Sequence, residues 1–283
     1  MSKIAFVTGG SSGIGFAFAK HLARGGAKLA LVDRDAAGLD RAVAEIGALQ
    51  ASAIGLVCDV GDRAQLRAAA EQAESDLGPV HYVMNNAGVG AAGPMDEVAS
   101  EVWDWVFRVN LMGVVHGIEA FVPRLKARGA GHIINTASMA GMRGTPMLGP
   151  YCATKAAVVS LSESLYGELA PFGVGVSVLC PGFVKTRLHI TSFESDPRRG
   201  NSTEVPFSPL IESGIPVDAV AERLGEAVAA GELYVFTHPA YAGIIEERYA
   251  ALRGAFEQAA QSRTLSGLDT TPPIVFGGPA KLA

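Results

Sequence analysis

Along the chain, short runs of consecutive apolar residues alternate with longer stretches in which apolar positions return every third or fourth residue. A run apolar at every position suits a strand covered on both faces, and the three-and-four spacing suits a helix with one buried stripe. The runs predict strands at Ile4–Thr8, Leu29–Asp33, Ala53–Cys58, Tyr82–Asn85, His132–Ser138, Gly175–Leu179 and Leu233–Thr237. Helices are predicted at Gly15–Gly25, Asp35–Leu49, Ala64–Leu77, Trp103–Arg128 and Tyr151–Phe172. Such alternation implies βαβ units, hence a three-layer α/β fold doubly wound about a seven-stranded parallel sheet, in one domain over residues 1–261.

Two regions depart from the alternation. Phe183–Pro216 is long for a connection, rich in Ser, Pro and Gly, and contains the polar run Glu194–Glu204, which reads as a lid over a site. Residues 262–283 have little periodicity and read as a disordered terminus or an arm that docks on a neighbouring subunit.

Composition narrows the partners. Hydrophobic residues are 49% of the 283 and charged residues 18%, enough for a large two-sided core. The formal net charge is -5 and the 23 Lys and Arg are scattered, so no footprint for nucleic acid or anionic lipid is seen. No apolar run reaches the roughly 18–20 residues that span a bilayer, so no membrane partner is expected. Cys58, Cys152 and Cys180 lack metal-type spacing and no signal peptide precedes the first strand, which points to free thiols in a reducing cytoplasm. The six histidines, His189 and His238 among them, show no ligand spacing, and no metal is expected; His189, in the lid, is a candidate substrate contact.

Candidate chemistry gathers where strands end. After the first strand come Gly9, Ser11, Ser12, Gly13, Ile14 and Gly15, leading into a helix, an arrangement that cradles a pyrophosphate on backbone amides. Asp33 closes the second strand 18 residues past Gly15, near the offset at which an acid meets the adenosine ribose hydroxyls and repels the extra phosphate of NADP. Arg34, next to it, is either a solvated charge or a grip for that phosphate; NAD is favoured on charge. Asp59, followed by Val60, either meets the adenine amine or caps a helix. Asn86, Ala87 and Gly88 end the fourth strand, where small residues let backbone pass a ribose. Tyr151 and Lys155 stand one helical turn apart, so an ammonium alongside and an oxidised nicotinamide ring nearby can together favour the phenolate and lower the tyrosine pKa.

These residues resemble the short-chain dehydrogenase/reductase family, with its motifs present from Lys3 to Thr186 and a Rossmann fold implied. The resemblance implies that Ser138, Tyr151 and Lys155 are catalytic. It also implies that Asn110 bends its helix and holds a water linking Lys155 to solvent. Pro181 and Gly182 would lie against the nicotinamide, with Val184 and Thr186 near its carboxamide or a phosphate; Thr186 could instead cap the lid. Twin helices around Asn110 and Tyr151 would pair copies into a homodimer or homotetramer. Thr237-His238-Pro239 and a further helix to about Gln261 are similar to bacterial dehydrogenases that oxidise the benzylic alcohol of aryl ethers.

Substrate would meet Ser138, Met139, Met142, Met147, Leu148, Tyr151, Phe183 and Leu188, a mostly apolar set with pliable methionines. The expected activity is hydride transfer between NAD(H) and a bulky, hydrophobic secondary alcohol or ketone of aryl, terpenoid or steroid type. Two alternatives stand beside it: an NADPH-dependent ketone reductase, and a dinucleotide-sensing regulator that has lost its chemistry.

Overall fold

The computed structural model describes residues 2–197 and 208–271. Residues 198–204 of the polar run and 272–283 of the terminus lie outside the described residues. In chain order the elements are β1 (Ile4–Thr8), α1 (Gly13–Arg24), β2 (Lys28–Asp33), α2 (Ala36–Ala48), β3 (Ala53–Val57), α3 (Arg63–Leu77), β4 (Tyr82–Asn85), α4 (Ser100–Phe107), a π turn (Arg108–Met112), α5 (Gly113–Arg128) and β5 (Gly131–Thr136). There follow α6 (Met139–Met142), α7 (Gly149–Leu169), β6 (Val174–Cys180), α8 (Leu188–Ser195), α9 (Ser208–Glu212), α10 (Val217–Ala230), β7 (Tyr234–Phe236) and α11 (Ala242–Ala260).

The seven strands are parallel, in the order β3-β2-β1-β4-β5-β6-β7. β1 is buried along its whole length. On one face Leu29, Leu31, Met84, Ile134 and Val235 join Phe18 of α1 and Leu224 of α10 in a continuous apolar core. Phe6 and Phe121 of α5 meet with ring centroids 4.8 Å apart. The order reverses between β1 and β4, and at such a switch point the loops leaving the carboxyl ends open a crevice.

Several boundaries differ from the sequence reading. β5 stops at Thr136, so Ser138 does not end a strand; it caps α6 by accepting from the Ala140 amide at 3.1 Å. Pairing with β6 ends at Thr136, although the Ala137 amide still donates to the Leu179 oxygen at 2.8 Å. Asp59 does not cap α3 either: Asp62 does, accepting from the Ala64 and Gln65 amides. The segment read as a loop lid contains α8 and α9. By its contacts the chain divides into two compact units, Met1–Thr237 and His238–Ala283, and α11 belongs to the second.

Ser100–Arg128 forms 29 consecutive helical residues, long and apolar enough by length and composition to cross a membrane, which a search for unbroken apolar runs overlooked. Its π turn, its buried Asn110 and His116, and its packing on α3, α7 and β4 mark it as a core helix of this unit.

Candidate active site

The turn after β1 passes through Gly9 (φ +63°) and Gly13 (φ +58°), both left-handed, where a side chain is costly. A Cβ on Gly15 would stand 2.4 Å from the Gly9 oxygen and 2.5 Å from Asn86 Nδ2, so the cradle closes only around glycine. Ser12 caps α1 without a side-chain hydrogen bond, leaving first-turn amides for another acceptor. Free amides at a helix N-terminus suit a phosphate, and the residues present therefore fit a dinucleotide.

A cleft of about 480 Å³ opens from this cradle. Every residue assigned to the cofactor from sequence lines it except Gly15, which sits behind the turn. Asp33 holds the cradle in shape: Oδ2 accepts from the Ser11 amide at 3.2 Å and the Ser11 hydroxyl at 2.6 Å, and Oδ1 from the Asp35 amide at 3.2 Å. Arg34 and Arg41 line the same end, and Arg41 lies 3.7 Å from Asp35. Asn86 braces three strand ends, donating to Thr8 O at 3.0 Å and accepting from Thr136 Oγ1 at 3.2 Å. Thr186 Oγ1 accepts from the Leu188 amide at 3.3 Å, just ahead of α8, whose N-cap is Arg187, and Thr186 also lines the cleft.

Ser138, Tyr151 and Lys155 share one wall of the cleft. The Ser138 hydroxyl hydrogen-bonds the Tyr151 phenol, and Lys155 Nζ lies 5.7 Å from the phenol ring centroid while donating to Thr136 O at 2.8 Å. With the protein groups alone, the tyrosine pKa is raised from its ordinary 10, because burial outweighs the Ser138 hydrogen bond. Burial also lowers Lys155 to about 8, against a small upward pull from Cys180. A cation that is itself poorly solvated does not by itself offset the burial of the phenol.

Asn110 lies fully buried in the π turn and grips Val89 from both sides: Oδ1 accepts from the Val89 amide at 2.7 Å and Nδ2 donates to the Val89 oxygen at 2.8 Å. Nδ2 also reaches Thr154 Oγ1 at 3.3 Å, one residue before Lys155. A Cβ on Gly88 would stand 3.3 Å from Asn110 Oδ1 and 3.5 Å from Lys155 Nζ, so glycine keeps the space between amide and ammonium open.

Of the residues assigned to substrate, Ser138, Tyr151 and Leu188 line the cleft. Met139 and Met142 open and close α6, Met147 and Leu148 precede α7, and Phe183 is partly exposed after β6. His189 is buried on α8, its Nδ1 without a hydrogen-bond partner among the described residues, and does not line the cleft. Sequence reasoning missed Arg41, Val89, Arg108, Thr191 and Glu194, which line it. For Thr191 and Glu194 the signal was available, since with Leu188 they repeat at every third residue on α8. Arg108 carried none.

The short chain dehydrogenase model matches residues 3–197. A C alpha-dehydrogenase of Sphingobium sp. strain SYK-6 is 34% identical over 259 residues, covering 88% of this chain and 85% of the relative. A short chain dehydrogenase/reductase from Burkholderia phymatum, solved in complex with NAD, superposes with a TM-score of 0.84 at 39% identity, over 89% of this chain and 94% of that one. A short-chain dehydrogenase from Sphingobium yanoikuyae, solved with NADPH, superposes at 0.73 with 26% identity, over 96% and 98%. With the cradle, the Ser138/Tyr151/Lys155 wall and these likenesses together, the chain belongs to the short-chain dehydrogenase/reductase family of oxidoreductases.

Proposed function

We propose that this enzyme oxidises a bulky, largely apolar secondary alcohol to the ketone with NAD, or runs the reverse reaction, with Tyr151 as general acid and base. The observation that carries the reading is the convergence of Ser138, Tyr151 and Lys155 on a cleft that begins at a glycine cradle and the Asp33 carboxylate. The nicotinamide cofactor supplies the hydride acceptor when bound. Gly9 to Ile14 would hold its pyrophosphate, and Asp33 with Ser11 its ribose hydroxyls.

The Ser138 hydroxyl fixes the substrate oxygen, and Tyr151 takes the alcohol proton in oxidation or returns it in reduction. Because burial holds the free phenol above 10, the anion forms only once further positive charge joins Lys155 at the site. Lys155, pinned by Thr136 O, passes the proton on toward Asn110. The likeness of the chain's end to benzylic-alcohol dehydrogenases, together with the relative named C alpha-dehydrogenase, supports an aryl carbinol among the candidate substrates.

Asp33 carries its charge where a second phosphate would sit, which supports NAD; Arg34 and Arg41 at the same end favour NADPH as the second reading. Pairing of copies through the helices around Asn110 and Tyr151 is expected, and solution mass would show it.

The test is a panel of aryl, terpenoid and steroid alcohols followed by NADH absorbance, with Tyr151→Phe beside the native enzyme. Tyr151→Phe should lose activity by about 10³-fold or more while NADH fluorescence still reports binding. Undiminished turnover would remove Tyr151 from its role, and a native preference for NADP would remove NAD.

A further inference from the structure

Arg108 is held against the turn after β3 more closely than a half-exposed arginine requires. Its Nη1 donates to Asp59 Oδ2 at 2.6 Å. A Cβ on Gly61 would stand 2.7 Å from Arg108 Cγ and 2.8 Å from Nη1, so the arginine fills the space that glycine leaves. Asp59 is restrained from two more sides: Oδ1 accepts from the Gly61 amide at 2.9 Å, and its own amide donates to Gln65 Oε1 at 3.0 Å. With side chains 48% and 36% exposed, the ion pair is screened by solvent and contributes little to stability. Both residues line the cleft beside Val60 and Val109, on the β3 side of the sheet, away from Ser138 beyond β5.

A carboxylate offers about four lone-pair sites, and Gly61 with Arg108 occupies two. The remaining sites can accept from an amine in the cleft and would repel a carbonyl oxygen. We infer that Arg108 is a positioning residue for the cofactor base: by fixing the Asp59 carboxylate, it makes the cleft select a base with an exocyclic amine over one with a carbonyl at that place. This rests on the dinucleotide reading of the cleft.

Fluorescence titration of the full chain with NADH and with reduced nicotinamide hypoxanthine dinucleotide tests it, since hypoxanthine carries a carbonyl where adenine carries its amine. The native protein should bind NADH about tenfold more tightly, and Arg108→Ala should cut that preference to about threefold or less. Arg108→Lys should restore part of it, and also serves if the alanine variant fails to fold. In an Asp59→Ala background, Arg108→Ala should change the preference no further, because the two substitutions break one interaction. A preference that Arg108→Ala leaves intact overturns the inference, as does an effect that persists at full size without Asp59. If the native protein binds neither dinucleotide, the cofactor reading itself falls, a result distinct from either of those.

Discussion

The two ends of the cleft are built on different principles. At the cradle, backbone is pressed against backbone: Gly15 has no room for a Cβ, Asn86 ties β1 to β5, and Asp33 spends three acceptor contacts on the loop beside it. On the side where substrate is proposed, the turn before α7 carries Met147 about half exposed, and Phe183 is partly exposed. The first end recognises a ligand of fixed shape and can be rigid. The second is held loosely enough to be refitted, which is where members of one family separate in substrate.

If that contrast is physical, damage should be severe at the first end. Asn110→Ala would strand the Val89 amide and carbonyl, both satisfied by one side chain in a buried site, at a cost of roughly 2–4 kcal/mol. Thermal melting should show it, together with lost turnover. Gly15→Ala should cost about 1–3 kcal/mol as the Gly9 turn shifts, and weaken NADH binding more than tenfold, read by fluorescence titration. If either variant melted with the native protein, the cradle would not be rigid in the sense argued.

A milder probe of the same end is pH. Burial lowers Lys155 from 10.5 to about 8, so between those values the unfolded chain holds more protons than the folded one and stability rises with pH. Cys58 and Cys180, pushed from 9 up to about 12, act in the opposite direction and already offset roughly 0.7 kcal/mol of that rise between pH 8 and 9, so the Lys155 contribution is read as the difference between the native protein and Lys155→Met. In denaturant unfolding of the cofactor-free protein, the stability of the native protein relative to Lys155→Met should grow by about 1 kcal/mol across that unit. An equal pH dependence in the variant would place the proton elsewhere.

The sequence made the first end legible because its constraints are local and residue-specific. Left-handed turns demand glycine at 9 and 13, and a four-residue separation puts Tyr151 and Lys155 on one helical face. Strand existence and the parallel sheet were legible from unbroken apolar runs for a similar reason. Arg108 was not, since its meaning depends on Gly61 and Asp59 arriving beside it from another strand end. The burial of Tyr151 was hidden as well: a Tyr/Lys spacing reports the neighbour but not the burial, and burial dominates among the protein's own groups. Ser138 was found by motif while its local structure was misread, because an apolar run does not tell where strand pairing stops.

The smallest expected effect tests the loose end. Met147 is a non-glycine residue at φ +70°, about half exposed, and its oxygen accepts the Gly93 amide at 2.9 Å. Met147→Gly relieves left-handed strain of about 1 kcal/mol and gives part of it back as greater freedom of the unfolded chain, so the melting point should change little or rise slightly. Met147→Ala keeps the backbone strain and removes the same side chain, which separates the two contributions. If this turn touches substrate, both variants should shift the kcat/KM ratio between aryl and aliphatic alcohols in the same direction, by about threefold or more, with NADH affinity unmoved. If the ratio holds in both, selection does not run through the turn before α7, and the cleft-facing row of α8, Leu188 and Thr191, becomes the wall to change next.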